Sequence, residues 1–430
     1  MPRILIFAAL VAIGAIAYMT TDEQLSPLAS EFIDSKTSDS SEVSRAYRIL
    51  LGMHAAKEDN AFDVGSRSIA DFLQASANAG VLDKIGYPEY PDQKKIFVPS
   101  SDENDLYCAI RASGCLDQIG LDRSGRDKEL ERLSTLVERY SEYLSANDYR
   151  TEIGSFVNEP WPDFRYLFVA SRMNIFSAFN TAENGNVDAA IATLLEESRL
   201  LRATLMASDT VIHKVMTLAL LRDNLGAVAY IHSLHDAHQM EPIPFLTRSE
   251  RSFYGPLQRE FTLIRKIAEE ADGNPELLSY EFETPAWLGR LIFRPNMLIN
   301  TVAERIDRQI ILSQVKQAAF SAAVDELNIS DDRMYSIVPS VNDAMVVMSG
   351  VDYTNYVARA FDINVKIELV NAQITGNPNL LNNPYYPDDE VKLHEDDYSV
   401  CMDGPLPDER RYRCLHVFEV PEEFVSSIGK

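Results

Sequence analysis

Between Asp163 and His235 apolar residues recur at helical spacing through three consecutive stretches, and this run limits most what the chain can fold into. Phe164, Leu167, Phe168, Ser171, Ile175, Phe179 and Ala182 mark one face of a first helix. Asn184-Gly185-Asn186 then reads as a turn, with Asn186 placed to cap the next helix and Asp188 in its first turn. That second helix carries Val187, Ala190, Ile191, Leu194, Leu195 and Leu201. The third, from Asp209 to about His235, is apolar nearly all round, the pattern of a central buried helix. Arg222, Asp223 and Asn224 interrupt it, so it does not read as a membrane span.

The rest of the chain follows the same grammar. Helical patterns are expected over 41–59, 62–79, 126–147, from Pro256 to Asp272, from Pro295 to about Leu327, and within 352–375. Ile299, Val302, Ala303, Ile306 and Ile310 are the expected core face of the helix opened by Pro295. Period-2 alternation is scarce. The expected fold class is therefore all-α: packed helical hairpins, solenoid-like or an irregular bundle, with disulfide-tied irregular excursions. The helical domain spans 41–375 with an irregular insertion at 80–125, and 376–430 is an irregular C-terminal extension.

The N-terminus sets the compartment. Met1-Pro2-Arg3 is a positive n-region, Ile4 to Met19 is apolar, and Ala15-Ile16-Ala17 is an A-x-A cleavage pattern. Residues 1–17 read as a secretory signal peptide, or 4–19 as an uncleaved membrane anchor. Both place the body outside the cytoplasm, and polar residues 18–40 read as a flexible linker. Cys108, Cys115, Cys401 and Cys414 fall into two local pairs, expected as Cys108–Cys115 and Cys401–Cys414 disulfides in an oxidising compartment. Acids outnumber bases 65 to 40, a net charge of −25 that disfavours nucleic acid as a partner.

Two resemblances rest on particular residues. The Glu183-Asn184-Gly185-Asn186-Val187-Asp188-Ala189-Ala190-Ile191 segment resembles the inter-helix turn of a tetratricopeptide-type repeat, over one hairpin, with no second copy at a fixed period. Ala46-Tyr47-Arg48-Ile49-Leu50-Leu51-Gly52 and Arg294-Pro295-Asn296-Met297-Leu298-Ile299-Asn300 resemble segments of uncharacterised exported helical proteins of bacteria. Neither resemblance implies an activity.

Reactive patterns are weak. His232, His235 and His238 lie three apart, but the third has rotated about 240° from the first on a helix, so the three cannot converge. They read as a polar helix end rather than a metal site. His213, within the apolar third helix, reads as a satisfied core histidine, or as a proton carrier if Arg222 or Asp209 adjoins it. Ser313-Gln314-Val315-Lys316 matches S-x-x-K without its companion motifs. Gly120 to Arg126 lacks the phosphate-cradling lysine. Asp388, Asp389, Glu390, Glu395, Asp396 and Asp397 lack the ligand order of a calcium loop. Asn296, Asn300, Glu304 and Arg308 recur every four residues and line either a polar groove or a hydrogen-bonded flank. No metal and no cofactor is expected. The expected function is a non-enzymatic binding or assembly factor of the cell envelope, its partner a protein or envelope component. The alternative is an envelope hydrolase working through separated carboxylates or histidines.

Overall fold

The computed structural model of the protein describes residues 21–35, 43–235, 237–274, 276–277, 285, 287, 293–331, 352–377, 381–389, 391, 393–396 and 399–416. The expected signal peptide or anchor lies outside them, as do Glu390 and Asp397 of the acidic run.

Residues 21–35 correct the expected 18–40 linker. Pro27–Asp34 forms helix α1, with Pro27 in its first turn and the Ser26 hydroxyl accepting from the Ala29 amide. It buries Ala29 and Phe32, the latter 5.2 Å from the Phe261 ring. Just before it, the Asp22 carboxylate accepts from the backbone amides of Asn296 (2.9 Å) and Met297 (3.2 Å). These amides open a helix with no side-chain cap of its own, so Asp22 supplies that cap from far away in sequence. Replacing Asp22 by Ala should lower stability by about 0.5–2 kcal/mol in urea denaturation. An unchanged urea midpoint would show the cap to be dispensable.

Helices α2 (Arg45–Gly52) and α3 (Ala61–Ser76) form a tight hairpin. A Cβ on Gly65 would stand 1.9 Å from the Arg48 carbonyl oxygen, and one on Gly52 would stand 2.0 Å from that of Ala61. The two backbones therefore touch, which only glycine permits. The expected helix over 41–59 ends early because its last carbonyls are taken by a side chain. The buried Arg139 guanidinium donates to the carbonyls of Met53 (3.1 Å), Ala55 (2.7 Å), Ala56 (2.6 Å) and Asp59 (2.7 Å).

Of the expected 80–125 insertion, 80–114 is irregular, with 3₁₀ turns at Asp92–Lys94 and Asp105–Tyr107, whereas the stretch after the Cys108–Cys115 disulfide turns helical sooner than expected. Helix α4 (Cys115–Leu121) starts at that disulfide. The helix expected over 126–147 is two, α5 (Arg123–Arg132) and α6 (Ser134–Ala146), the second ended by Asn147 at φ 48°. The 163–235 run gives α7 (Phe164–Glu183), α8 (Val187–Ala207) and α9 (Val211–Leu234). Gly185 supplies the left-handed turn at φ 86°. Asn186 stands at the cap position, yet its side chain makes no capping hydrogen bond.

Helices α10 (Arg248–Arg251) and α11 (Tyr254–Gly273) follow, and Pro256 is the third residue of α11 rather than the first. Helix α12 (Pro295–Gln314) buries the expected Ile299, Val302, Ala303, Ile306 and Ile310. It stops where Val315 turns extended, and the chain resumes as α13 (Phe320–Asp331). Helix α14 (Thr354–Thr375) ends at Gly376. Helix α9 is central, packing against α7, α8, α11 and α14. The arrangement is an irregular helical bundle in which the hairpin α7–α8 is one part.

The C-terminal extension is more ordered than its composition implies. Strands β1 (Leu393–Asp396), β2 (Ser399–Met402) and β3 (Cys414–His416) form an antiparallel sheet in that order. Cys401 and Cys414 are direct cross-strand partners joined by the second disulfide. Arg413 pairs with Asp362 of α14 at 2.9 Å, and Tyr385 donates to the same carboxylate at 2.8 Å. These bonds fasten the extension to the bundle.

Candidate functional site

The polar repeat along α12 is occupied by the chain itself. The Asn300 amide oxygen accepts from the Ser26 amide at 2.8 Å, and its amide nitrogen donates to Gln24 O (2.9 Å) and Glu23 Oε2 (3.2 Å). Asn296 donates to Glu23 O at 2.9 Å. Asn296 and Asn300 are thus brought together against residues 22–26, while Glu304 is exposed and Arg308 half-buried further along. No open polar groove remains at the two asparagines.

The histidine candidates separate. His232 Nε2 lies 3.2 Å from the His238 carbonyl oxygen, and the His238 ring faces Asp188 at 3.7 Å. His232 is buried, not on a solvated helix end. Among the described residues no group of three His, Cys, Asp or Glu side chains is placed to hold a metal ion. His213 is fully buried, its two ring nitrogens 2.7 Å from Tyr143 Oη and 2.7 Å from Ser208 Oγ. Its ring stacks on Tyr149 at 3.4 Å. Burial pushes its pKa down to about 3, so it stays neutral between two hydroxyls. Asp209 is bonded instead to Thr151. Ser313 of the S-x-x-K match donates to Ile310 O and accepts from the Phe253 amide, so its hydroxyl is committed to the backbone.

Beside His213, Lys214 is buried, donates to Leu205 O at 2.7 Å and lies 5.4 Å from the Phe253 ring centroid. Burial lowers its amine pKa to about 7, with Glu250 opposing. Between that value and the ordinary 10.5 the unfolded chain holds a proton that the folded chain does not. Stability should therefore rise with pH over this window, by up to about 1.4 kcal/mol per pH unit from this group. Lys366, also pushed to about 7 by burial, adds to the same slope. Lys214→Met should flatten the pH dependence of the urea midpoint between pH 7 and pH 10 without abolishing it. An identical slope in the variant would refute the assignment.

A feature with room for a ligand lies elsewhere. A cleft of about 570 Å³ opens between the α2–α3 hairpin, the 87–95 segment and the 160–163 segment. Its size falls within the usual range for small-molecule sites, about 300–1,000 Å³. The helical wall presents Val64, Arg67, Ser68 and Asp71 at helical spacing along α3. The opposite wall is aromatic, with Tyr87, Tyr90 and Trp161. Each of the three has a proline beside it: Pro88, Pro91, and Pro160 with Pro162. Proline fixes φ, so these rings are held on stiffened turns.

Behind the rings the packing is close. Tyr87 meets Phe72 edge-on at 5.5 Å. The Tyr90 hydroxyl donates to Asp59 at 2.6 Å and accepts from the Ala56 amide at 2.9 Å. The 91–98 segment is clamped because the Ile96 amide donates to the His54 carbonyl at 3.0 Å, while Tyr166 donates to Ile96 O at 3.0 Å. Glu159, buried next to Pro160, pairs with Arg259 of α11, and Arg259 also holds Ile153 O at 3.1 Å.

At the floor His54 packs edge-on against Tyr90 at 5.3 Å. Its Nε2 is buried and without a hydrogen-bond partner. Burial and the charge of Lys95 push its pKa down to about 4, so the ring is neutral near pH 7. The carboxylates of the cleft differ in freedom. Asp59 is engaged by Tyr90, and Asp163 caps α7 through the Arg165 amide (3.1 Å) and pairs with Arg165 at 2.9 Å. Asp71 faces the cleft from α3.

Tyr87-Pro88-Glu89-Tyr90-Pro91 lies within the 80–125 stretch that the sequence marks only as irregular, and neither Trp161 nor His54 belongs to a reactive pattern in it. The detectable signal was the recurrence of aromatic–proline neighbours in two irregular segments. No family model matches the chain, and no curated protein or solved structure is significantly similar to it.

Proposed function

We propose that the protein is an exported binding protein of the cell envelope and that the cleft between the α2–α3 hairpin and the aromatic–proline segments is where it takes up a small polar ligand. The observation that carries this reading is a preformed cleft of about 570 Å³ lined by three aromatic residues, two of them packed or hydrogen-bonded from behind, and by several polar side chains. Preorganisation of this kind lowers the ordering cost of binding. Of the four acids lining the cleft, Asp59 and Asp163 are already engaged by Tyr90 and Arg165, which leaves Asp71 and Glu89 as the acids open to a ligand. Export is supported by the n-region, apolar run and A-x-A of the N-terminus. The two disulfides fit an oxidising compartment. Because Asp22 is docked on α12 only three residues after Met19, an uncleaved anchor would hold the body close to the membrane surface.

The test uses protein recovered from its native envelope fraction. Wild type, passed through an envelope extract, washed and denatured, should release a small molecule detectable by mass spectrometry. Ser68→Trp, which fills the cleft from a half-buried position on α3, should release at least about tenfold less. Equal release from both proteins would sink the cleft reading, and native protein with four free thiols would sink export.

A further inference from the structure

We propose that the ligand of this cleft is a pyranose saccharide, stacked on Trp161 and Tyr87 and held through its hydroxyls by Asp71 and Arg67. This deepens the binding reading above and rests on it.

The first support is the aromatic wall. Trp161 is 50% exposed and flanked by proline on both sides, so a large apolar ring stands partly in solvent on a stiffened stretch of backbone. Tyr87 is half-buried, backed by Phe72, and offers a second ring already fixed in place. Rigid rings of this kind suit a ligand with a flat face of C–H bonds, as one face of a pyranose has. The polarised C–H hydrogens of the sugar meet the negative face of the aromatic quadrupole.

The second support is the charge pattern. Three cations line the cleft, Arg67, Lys94 and Lys95, against four acids, Asp59, Asp71, Glu89 and Asp163. The balance is close to neutral, and Lys95 is tied to Asp92 at 2.7 Å. A phosphate or polyanion would meet four carboxylates and gain little. A sugar hydroxyl both donates and accepts, so adjacent hydroxyls satisfy an acid and a base at once, through charge-assisted hydrogen bonds. A proline-rich peptide is the rival for an aromatic groove. Its residues offer mainly carbonyl acceptors, because proline has no N–H. The carboxylates of the cleft are acceptors too and would find no donors.

The third support is the floor. His54 Nε2 is buried and unpartnered, and a neutral imidazole nitrogen can accept from or donate to a hydroxyl. A buried polar atom left without a partner calls for one.

The chain holds two tryptophans, Trp161 and Trp287, so the full-length Trp287→Phe variant reports on the cleft through Trp161 fluorescence alone. The probes are the β-1,4-linked trisaccharides of glucose and of N-acetylglucosamine, with maltotriose, a proline hexapeptide and inorganic phosphate as contrasts. The expected result is a saturable change in Trp161 emission with at least one trisaccharide, insensitive to added salt. The apparent affinity should fall about tenfold or more, equivalent to roughly 1.4 kcal/mol, on adding Tyr87→Ala or Asp71→Asn. Those variants should keep the helical circular dichroism of the parent, and Tyr87→Phe should restore most of the binding. A response to the peptide or to phosphate and to no saccharide would overturn the ligand class. Silence toward every saccharide, with the Ser68→Trp experiment still showing a retained small molecule, would overturn the saccharide while leaving the cleft. Equal retention by Ser68→Trp would overturn the cleft itself.

Discussion

Gly65→Ala should destabilise the protein by about 3 kcal/mol or more, although intrinsic helix propensity argues the other way. Alanine in a helix interior is favoured over glycine by about 1 kcal/mol, and Gly65 lies within the regular turns of α3. The added methyl would stand 1.9 Å from the Arg48 carbonyl oxygen and 2.8 Å from its carbonyl carbon. Both atoms are backbone, so no rotamer change relieves the clash. The helices must separate by more than 1 Å along a contact that also includes Gly52 against Ala61. Overpacking of buried side chains alone costs about 1–3 kcal/mol. Parting two backbones also opens space around Ile49, Leu50 and Ile69, all buried, so a cavity cost adds to the steric one. Urea denaturation of wild type and Gly65→Ala decides between propensity and packing. A variant as stable as wild type would mean the hairpin has slack. The consequence for the cleft is direct, because Arg67, Ser68 and Asp71, which line it, follow Gly65 within two turns of the same helix. Separation of the hairpin should also weaken retention of any ligand.

This contact illustrates what a single sequence can and cannot disclose. The pattern Ala46 to Gly52 reads as a helix, but nothing in it says that Gly52 ends the helix or that a backbone crosses there. The end is set by Arg139, whose guanidinium takes four carbonyls of the 53–59 loop from 80 or more positions away. A side chain acting at such a distance leaves no mark on local periodicity. Asp22 is the same case in stronger form. A carboxylate in a polar stretch looks like a linker residue until the helix 274 positions later is seen to lack a cap of its own. By contrast, both cysteine pairs were legible because each partner lies within 13 positions. The 163–235 helices were legible because their signal is local and repeated. The cleft was not, since its walls come from α3, from 87–95 and from 160–163. Only rings and prolines, scattered through segments without periodicity, pointed to it.

Leu218→Asp should prevent folding altogether, and Leu218→Ala should cost about 2–5 kcal/mol. Leu218 lies about two turns into α9 and is fully buried. That helix contacts α7, α8, α11, α14 and β3, so a defect in it reaches most of the described bundle. The alanine variant loses transfer free energy and leaves a cavity that close-packed neighbours fill only in part. Domain stability is typically about 5–15 kcal/mol, so the variant should fold with a clearly lowered melting temperature. Aspartate is a different perturbation. Its neighbours at i±3 and i±4 on the helix, Val215, Leu221, Lys214 and Arg222, include two cations. If either could pair with the new carboxylate, the cost would be modest. Both are already committed: Lys214 donates to Leu205 O at 2.7 Å, and Arg222 is paired with Asp223. Taking the proton instead would leave a neutral carboxyl with no hydrogen-bond partner, which still costs several kcal/mol on top of the lost leucine contacts. The sum exceeds the stability of most domains. The expected observation is a protein recovered only in aggregates, or one lacking a cooperative thermal transition, while Leu218→Ala remains soluble and melts cooperatively. A soluble, cooperatively melting Leu218→Asp would mean that α9 can rotate or open at this position, and the bundle would have to be built around a different helix.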